Sequence, residues 1–124
     1  PKAYVEEQLK AGKDVILEIE VQGALQIKKK YPQALLLFVT PPSAEVLRER
    51  LRSRQTETEE VIAKRMNRAS QEAEWMSEYD FIIINDELDA CVKETHSLIR
   101  AAHNTPGRLS DFIDDMKEQL NRGE

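Results

Sequence analysis

The chain has 124 residues, a formal net charge of −5 and 33% charged residues, which fits one domain with a modest apolar core and long solvated helix faces. Its acidity argues against a general nucleic-acid-binding surface, and no apolar run approaches the roughly 20 residues that a membrane-spanning helix needs. A single cysteine, Cys91, and two histidines predict neither a disulfide nor a zinc site and fit a reducing, cytoplasmic setting.

Three short apolar runs predict β-strands. They are "DVILEIEV" at 14–21, "ALLLFVT" at 34–40 and "YDFIIIN" at 79–85. Each has the length of a strand, is rich in β-branched or aromatic residues, and is bounded by turn or polar residues. The last two runs are continuously apolar, which is typical of strands that are covered on both faces of a parallel sheet.

Helical patterns separate these runs. Six helices are predicted: residues 1–11 ending at Gly12, 25–31 stopped by Pro32, 43–52 capped by Ser43, 56–77 with a capping box of Thr56 and Glu59, 86–103 capped by Asp86, and a last helix starting at Thr105 and Pro106. Strands that alternate with helices predict an α/β fold with a parallel sheet.

The long helix at 56–77 carries an apolar stripe at spacings of three and four residues, which predicts the face that packs against the body. Its members are Ile62, Met66, Ala69, Ala73 and Met76. Trp75 and Tyr79 are expected to extend this packing.

Two carboxylates, Glu18 and Glu20, end the first predicted strand just before Gly23. In open α/β sheets ligands bind beyond the carboxyl ends of the strands, and alternation places both acids on one face. Carboxylates beside an apolar core are costly unless a cation or a donor meets them. A ligand site and a solvated strand end are equally good interpretations of this spacing.

Six of the nine arginines fall between Arg48 and Arg68. Arg50 and Arg54 are four residues apart on one predicted helix, and Arg65 and Arg68 are three apart on the next. If the two helices fold back as a hairpin, guanidinium groups from both arms could face one space. Guanidinium binds phosphate bidentately and keeps its charge, so the cluster favours phosphate binding, although a solvated ion pair remains the alternative for any one arginine.

Asn85 ends the third predicted strand, directly before a helix cap. Its amide could hydrogen-bond a ligand base or hold a turn.

Four motifs in this order together resemble the C-terminal two-thirds of a bacterial guanylate kinase. They are "LEIEVQGA", "FVTPPS", "LRERLRSRQTETEEVIAKRM" and "IINDELD", and the resemblance extends from Pro1 to about Ile99. It implies a P-loop-type nucleoside monophosphate kinase fold, with a parallel sheet, flanking helices and a helical lid. The expected divisions of this partial kinase domain are a core at 1–42 and 78–104, a lid at about 43–77, and a C-terminal helix at about 105–122.

The resemblance implies phosphoryl transfer from ATP to GMP, giving ADP and GDP, with Mg²⁺. On the GMP side, Glu20 resembles the acid that reads the guanine base. Glu18 resembles the acid at the Mg²⁺ and phosphate end, where it would reach the metal through water rather than bind it directly.

On the ATP side, Arg50 and Arg54 resemble lid arginines that reach the ATP phosphates. Arg65 resembles the arginine that contacts the phosphates of both nucleotides, and Asn85 resembles the residue beside the adenine. These three arginines are therefore the expected catalytic residues.

The sequence departs from the family pattern in two respects. Gln55 stands in the lid turn where the family usually has glycine, and nothing in these 124 residues matches the Gly-rich phosphate loop with its Lys. Since the chain also starts at Pro1 rather than Met, we expect a fragment of a longer protein that is inactive as a guanylate kinase on its own.

The resemblance also implies that a central strand of the sheet is missing. Residues 14–20 and 34–40 would then pair with each other, borrow a strand from another chain, or leave an unpaired edge. We expect a rearranged sheet or one completed by a homo-oligomer or strand exchange. A non-catalytic guanylate-kinase-like module that binds peptides is the alternative function, and an arginine-rich nucleic-acid binder is the least favoured.

Overall fold

The structure is a computed structural model that describes residues 2–54 and 57–123. The elements within these ranges are α1 (Lys2–Lys10), α2 (Val21–Lys30), β1 (Leu37–Thr40), α3 (Ala44–Ser53), α4 (Glu59–Ala73), a 3₁₀ turn (Met76–Glu78), β2 (Phe81–Ile84), α5 (Leu88–Ala102) and α6 (Ser110–Asn121). This is the predicted α/β arrangement.

The two strands form a parallel sheet, as predicted. Leu37 lies opposite Phe81 and Thr40 lies opposite Ile84, so both strands end at the same rim of the sheet. The backbone N–H of Asn85 donates to the carbonyl of Thr40 at 2.7 Å. Asn85 therefore sits where the rule for open α/β sheets places a ligand.

The first predicted strand is wrong. Residues 13–20 have no regular secondary structure, the side chain of Ile16 is 77% exposed, and Val21 already belongs to α2. A strand requires a ladder of hydrogen bonds with a neighbour, and β2 is the one partner of β1 in the described part of the chain. The expected rearrangement of the sheet is therefore wrong, and completion by another chain remains a prediction.

Asp80 fastens the sheet to α2. Its Oδ2 accepts a hydrogen bond from the backbone N–H of Leu36 at 2.8 Å and one from Lys28 Nζ at 3.0 Å. The same ammonium group donates to the carbonyl of Ala34 at 2.6 Å. The backbone N–H groups of Asp80 and Phe81 in turn donate to the carbonyl of Leu36. One carboxylate thus fixes the start of both strands and the end of α2.

Side-chain oxygens cap the starts of α2, α3, α4 and α5, and the starts of α2 and α5 differ from the prediction. The Glu20 carboxylate accepts from the N–H of Gly23 at 2.8 Å, so α2 begins at Val21 rather than at 25. Glu87, rather than Asp86, caps α5 by accepting from the N–H groups of Asp89 and Ala90. Glutamate is outside the preferred set of cap residues, which is why sequence signals pointed elsewhere.

The starts of α4 and α6 also differ from the prediction. Thr58 caps α4, while Pro1, Gln55 and Thr56, named in the sequence-based predictions, lie outside the described residues. The helix expected from Thr105 and Pro106 begins only at Ser110.

Helices α3 and α4 pack against each other as the predicted hairpin. Leu51 of α3 and Ile62 of α4 are both buried, and Arg52 Nε lies 3.4 Å from Glu59 Oε1 across the turn. Ala73, expected on the packing face, is exposed. Tyr79 packs edge-on against Phe38 of β1, with ring centroids 5.0 Å apart.

The core is small. Its buried hydrophobic members, within residues 2–54 and 57–123, are Val21, Ala24, Leu36, Leu51, Ile62, Ile83 and Ala102. Ile83, in the middle of β2, has 0% exposure.

Replacing Ile83 with valine is expected to lower the free energy of unfolding by about 1 kcal/mol, because one buried methyl group is lost and a small cavity remains. Ile84→Val is the matched control, since Ile84 is 59% exposed and the same change there deletes a hydrated methyl. Urea unfolding of the protein would measure both. Equal effects of the two substitutions would contradict the assignment of Ile83 to the core.

Candidate functional site

A cavity of about 220 Å³ lies at the rim where β1 and β2 end, and we call it the rim cavity. Its lining residues are Val39, Thr40, Pro41, Leu47, Arg50, Leu51, Arg54 and Asn85. It brings together three residues that the sequence suggested separately, Arg50 and Arg54 from the end of α3 and Asn85 from the end of β2. This is the carboxyl end of the sheet, where open α/β proteins bind their ligands.

Arg50 is held in place at this rim. Its Nη1 donates to the carbonyl of Asn85 at 2.9 Å, and its Nη2 donates to the carbonyl of Asp86 at 3.1 Å. In the part of the chain that the structure describes, no carboxylate pairs with Arg50 or Arg54. Within the described residues, the two guanidinium groups at the rim cavity thus have no carboxylate ion-pair partner, which suits an anionic ligand.

A second cavity of about 210 Å³ lies between the start of α2 and the end of α4, and we call it the α2–α4 cleft. Its lining residues are Glu20, Val21, Gln22, Arg68, Gln71, Glu72 and Trp75. Among these, Glu20 was a predicted site residue. Arg68 was predicted only as a member of the arginine cluster. Gln71, Glu72 and Trp75 were missed as site residues, although Arg68, Gln71 and Glu72 share one face of α4 by their spacing of three and four residues.

The cleft is acidic on both walls. Burial raises the pKa of the Tyr79 phenol, and the negative charges of Glu72 and Glu20 raise it further. The carboxylates of Glu20 and Glu72 are therefore both close enough to influence the partly buried Tyr79 hydroxyl beside the cleft. Arg68 Nε lies 4.0 Å from Glu72 Oε1, so the cleft offers hydrogen-bond acceptors together with one cation.

Arg65 and Glu18 lie outside both cavities. Arg65 Nη2 is 3.9 Å from the carboxylate of Glu57. Glu18 is exposed. The structure thus separates the arginines of the hairpin, with Arg50 and Arg54 at the rim cavity and Arg68 at the cleft, instead of facing them into one space.

Trp75 does not have the packing role that the sequence predicted. It was expected to pack α4 against the body, but its side chain is 40% exposed and lines the α2–α4 cleft. The packing of this region falls instead to Tyr79, as predicted for that residue.

Within residues 2–54 and 57–123, no cluster of three or more His, Cys, Asp or Glu side chains could hold a metal ion. No helix in the same ranges has both the length and the apolar character to cross a membrane. Each cavity is smaller than the roughly 300–1,000 Å³ of a typical whole-ligand site, so each fits a part of a larger molecule, such as a base or a phosphate group.

A parallel sheet with cationic side chains at its carboxyl rim and a helical hairpin beside it defines an α/β protein suited to phosphorylated ligands. The family model described as guanylate kinase matches residues 2–102. The chain therefore belongs to the guanylate kinase family.

Bacterial relatives agree with this assignment. The chain is 53% identical over 103 residues to a guanylate kinase of Streptococcus thermophilus (83% of this chain, 49% of the relative). It is 48% identical over 101 residues to one of Desulfitobacterium hafniense (82% and 50%), and 47% identical over 118 residues to one of Halalkalibacterium halodurans (95% and 58%). The chain spans about half the length of these relatives.

Proposed function

We propose that this chain is part of a guanylate kinase, which transfers the γ-phosphoryl group of ATP to GMP and gives ADP and GDP. The observation that carries the proposal is the pair of arginines, Arg50 and Arg54, that face the rim cavity without a carboxylate partner in the described residues. Phosphoryl transfer asks a protein mainly to align two anions and to stabilise the charge on the transferred group. Guanidinium groups at the rim of a parallel sheet, with Arg50 held by two hydrogen bonds, meet that need.

The rim cavity is proposed to hold part of ATP. Arg50 and Arg54 would contact its phosphates, while Asn85 would lie beside the adenine against the apolar side chains of Val39 and Pro41. Arg65 would join them from α4. Its contact with Glu57 is long, at 3.9 Å, and the arginine is exposed, so this ion pair costs little to break.

The α2–α4 cleft is proposed to hold the guanine base of GMP. The Glu20 carboxylate reaches the cleft while it caps α2, and its remaining lone pairs can accept hydrogen bonds from the N–H groups of the base. Glu18, two residues earlier, would face the phosphates.

The residues present fit a magnesium ion that is carried mainly by the substrate. Mg²⁺ usually keeps several waters and binds one or two carboxylates together with phosphates. Glu18 would contribute through a water molecule. When bound, Mg²⁺ would neutralise negative charge on the ATP phosphates.

We further propose a cytoplasmic setting, in which the free thiol of Cys91 stays reduced. No nucleic-acid or membrane partner is expected. The exposed side chains of Ile84 in β2 and of Ile16 in the irregular segment before α2 leave apolar surface beside the sheet, which a homo-oligomer or an exchanged strand would cover.

A coupled assay on the full-length protein that carries this chain tests the function. We expect ADP release with ATP, Mg²⁺ and GMP, and at least about a hundredfold lower kcat/KM with AMP, because a site built to pair with guanine leaves polar groups unpaired against adenine. The 124-residue chain alone should show no turnover. Binding of peptides without turnover of GMP would instead identify a non-catalytic guanylate-kinase-like module.

A further inference from the structure

Glu57 lies between α3 and α4, and its carboxylate is enclosed to an unusual degree for a charged group in this chain. Its side chain is 17% exposed, less than any other carboxylate that forms an ion pair in residues 2–54 and 57–123. Its backbone N–H donates to the carbonyl of Arg54 at 3.0 Å, and the next residue, Thr58, caps α4. Glu57 is therefore held at the junction of the two helices that carry the arginines.

The cation beside this carboxylate is Arg65. Its Nη2 lies 3.9 Å from Glu57 Oε1, which is too long for a hydrogen bond, so the attraction is electrostatic and commits none of the N–H donors of the guanidinium to Glu57. An enclosed carboxylate is costly unless a cation stands near it. Glu57 thus retains Arg65, while the arginine, at 53% exposure, keeps the freedom to rotate.

We propose that Glu57 is a positioning residue that holds Arg65 away from the rim cavity until the phosphates of ATP displace it. The inference rests on the function proposed above, in which Arg65 joins Arg50 and Arg54 at these phosphates, and it adds a residue that controls when Arg65 is available. A phosphate chain is expected to win this competition, because it offers several negative charges and accepts two parallel hydrogen bonds from a guanidinium.

This competition should act on binding and leave the chemical step alone. The pair between Glu57 and Arg65 is intact in the free protein and broken both in the complex with ATP and in the transition state. Its contribution is therefore lost once, when ATP binds. An interaction that affects the ground-state complex and the transition state equally changes KM and leaves kcat as it was.

Glu57→Gln in the full-length protein that carries this chain is expected to lower KM for ATP about two- to fivefold, the range for the release of one ion pair of this kind. The substitution removes the charge, keeps the size of the side chain, and leaves the backbone hydrogen bond to Arg54 in place. The value of kcat should stay within about twofold. Steady-state kinetics with varied ATP at saturating GMP would measure both, and an unchanged or raised KM for ATP would overturn the proposal.

Glu59→Gln is the matched control. It removes the same charge from the start of α4, but Glu59 is 77% exposed and pairs with Arg52, and neither residue lines a cavity. KM for ATP should therefore stay at the wild-type value. An equal fall in the two variants would show that any loss of negative charge from the hairpin favours ATP, and it would also overturn the specific role of Glu57.

A double substitution tests whether Glu57 acts through Arg65. In an Arg65→Ala background there is no guanidinium to retain, so the added Glu57→Gln change should leave the Kd for ATP unchanged, as measured by isothermal titration calorimetry without turnover. The same fall in Kd with and without Arg65 would contradict the proposal.

The two levels of proposal fail in different ways. If the wild-type protein phosphorylates GMP but Glu57→Gln binds ATP no more tightly, this inference fails alone. If the wild-type protein does not phosphorylate GMP, the proposed function fails and this inference falls with it.

Discussion

Replacing Arg54 with alanine in the full-length protein that carries this chain is expected to lower kcat for GMP phosphorylation by about 100- to 1,000-fold, the effect of removing one preorganised charge-stabilising donor. The side chain faces the rim cavity, is exposed, and has no carboxylate partner in the described residues. Its charge is therefore available to the transferred phosphoryl group. Because this group develops its charge in the transition state, kcat should fall more than KM for either nucleotide rises.

Arg52→Ala is the matched control for this prediction. Arg52 lies on the same helix but pairs with Glu59 and lies outside the rim cavity, so its loss should leave kcat within about twofold, as for an exposed ion pair. Arg54→Lys should recover only part of the activity, since an ammonium group keeps the charge without the two-pronged geometry. An Arg54→Ala enzyme with wild-type kcat would show that the rim cavity does not hold the transferred group.

Arg50→Ala is expected to show a comparable loss of kcat together with a loss of stability. Arg50 donates to the carbonyls of Asn85 and Asp86, and these hydrogen bonds join α3 to the start of α5. Within residues 2–54 and 57–123 Arg54 makes no such contact, which makes it the cleaner test of phosphate binding. Comparing the unfolding temperatures of the two variants would separate the structural role of Arg50 from its electrostatic one.

Glu20→Gln is expected to raise KM for GMP about a hundredfold, which corresponds to the upper part of the roughly 1.5–3 kcal/mol carried by a hydrogen bond to a charged group. The substituted amide presents an NH₂ group where the base presents its own N–H donors. The amide oxygen of glutamine can still accept from the N–H of Gly23, so the start of α2 should persist. Steady-state kinetics with varied GMP at saturating ATP would measure the change.

Glu87→Gln provides the control for Glu20→Gln. Glu87 caps α5 with the same chemistry, accepting from the N–H of Ala90 at 2.8 Å, but it lines neither cavity. The Glu87→Gln substitution should therefore leave KM for GMP unchanged. A similar KM for GMP in both variants would show that Glu20 does not bind guanine and serves only as a helix cap.

The sequence predicted the parts of the fold that depend on local pattern. The apolar runs at 34–40 and 79–85 contain β1 and β2, and their continuous apolar character correctly indicated parallel pairing. The hairpin of α3 and α4 followed from Ser43 and from the helical spacing of the buried residues. Local patterns were sufficient here because the cap residues and apolar runs that define these strands and helices lie within them or next to them in the sequence.

The first predicted strand could not be judged from its own residues. Residues 14–21 have the composition of a strand, but a strand exists only with a neighbour at hydrogen-bonding distance, and composition does not reveal whether that neighbour is present. The last of these residues, Val21, is instead the first residue of α2, because the Glu20 carboxylate caps that helix.

The positions of the candidate site residues could be predicted only in part. The end of a strand marked Asn85 and helical spacing marked Arg50 and Arg54, and the structure places all three around one cavity, while their roles stay predictions. Arg68 was predicted only as a member of the arginine cluster, and Gln71, Glu72 and Trp75 were missed, because only the meeting of α4 with the start of α2 shows that these residues face a cleft.

The two hydrogen bonds from Arg50 constrain how the helical hairpin can move. Because its guanidinium grips the carbonyls of Asn85 and Asp86, α3 cannot swing away from the sheet unless both bonds break. A guanidinium has five N–H donors, so three remain that can bind a phosphate while both hydrogen bonds to the backbone are kept. Helix α3, at the proposed adenine site, would thus stay fixed to the sheet. The larger movements of an opening lid would then be made by α4 and its arginines.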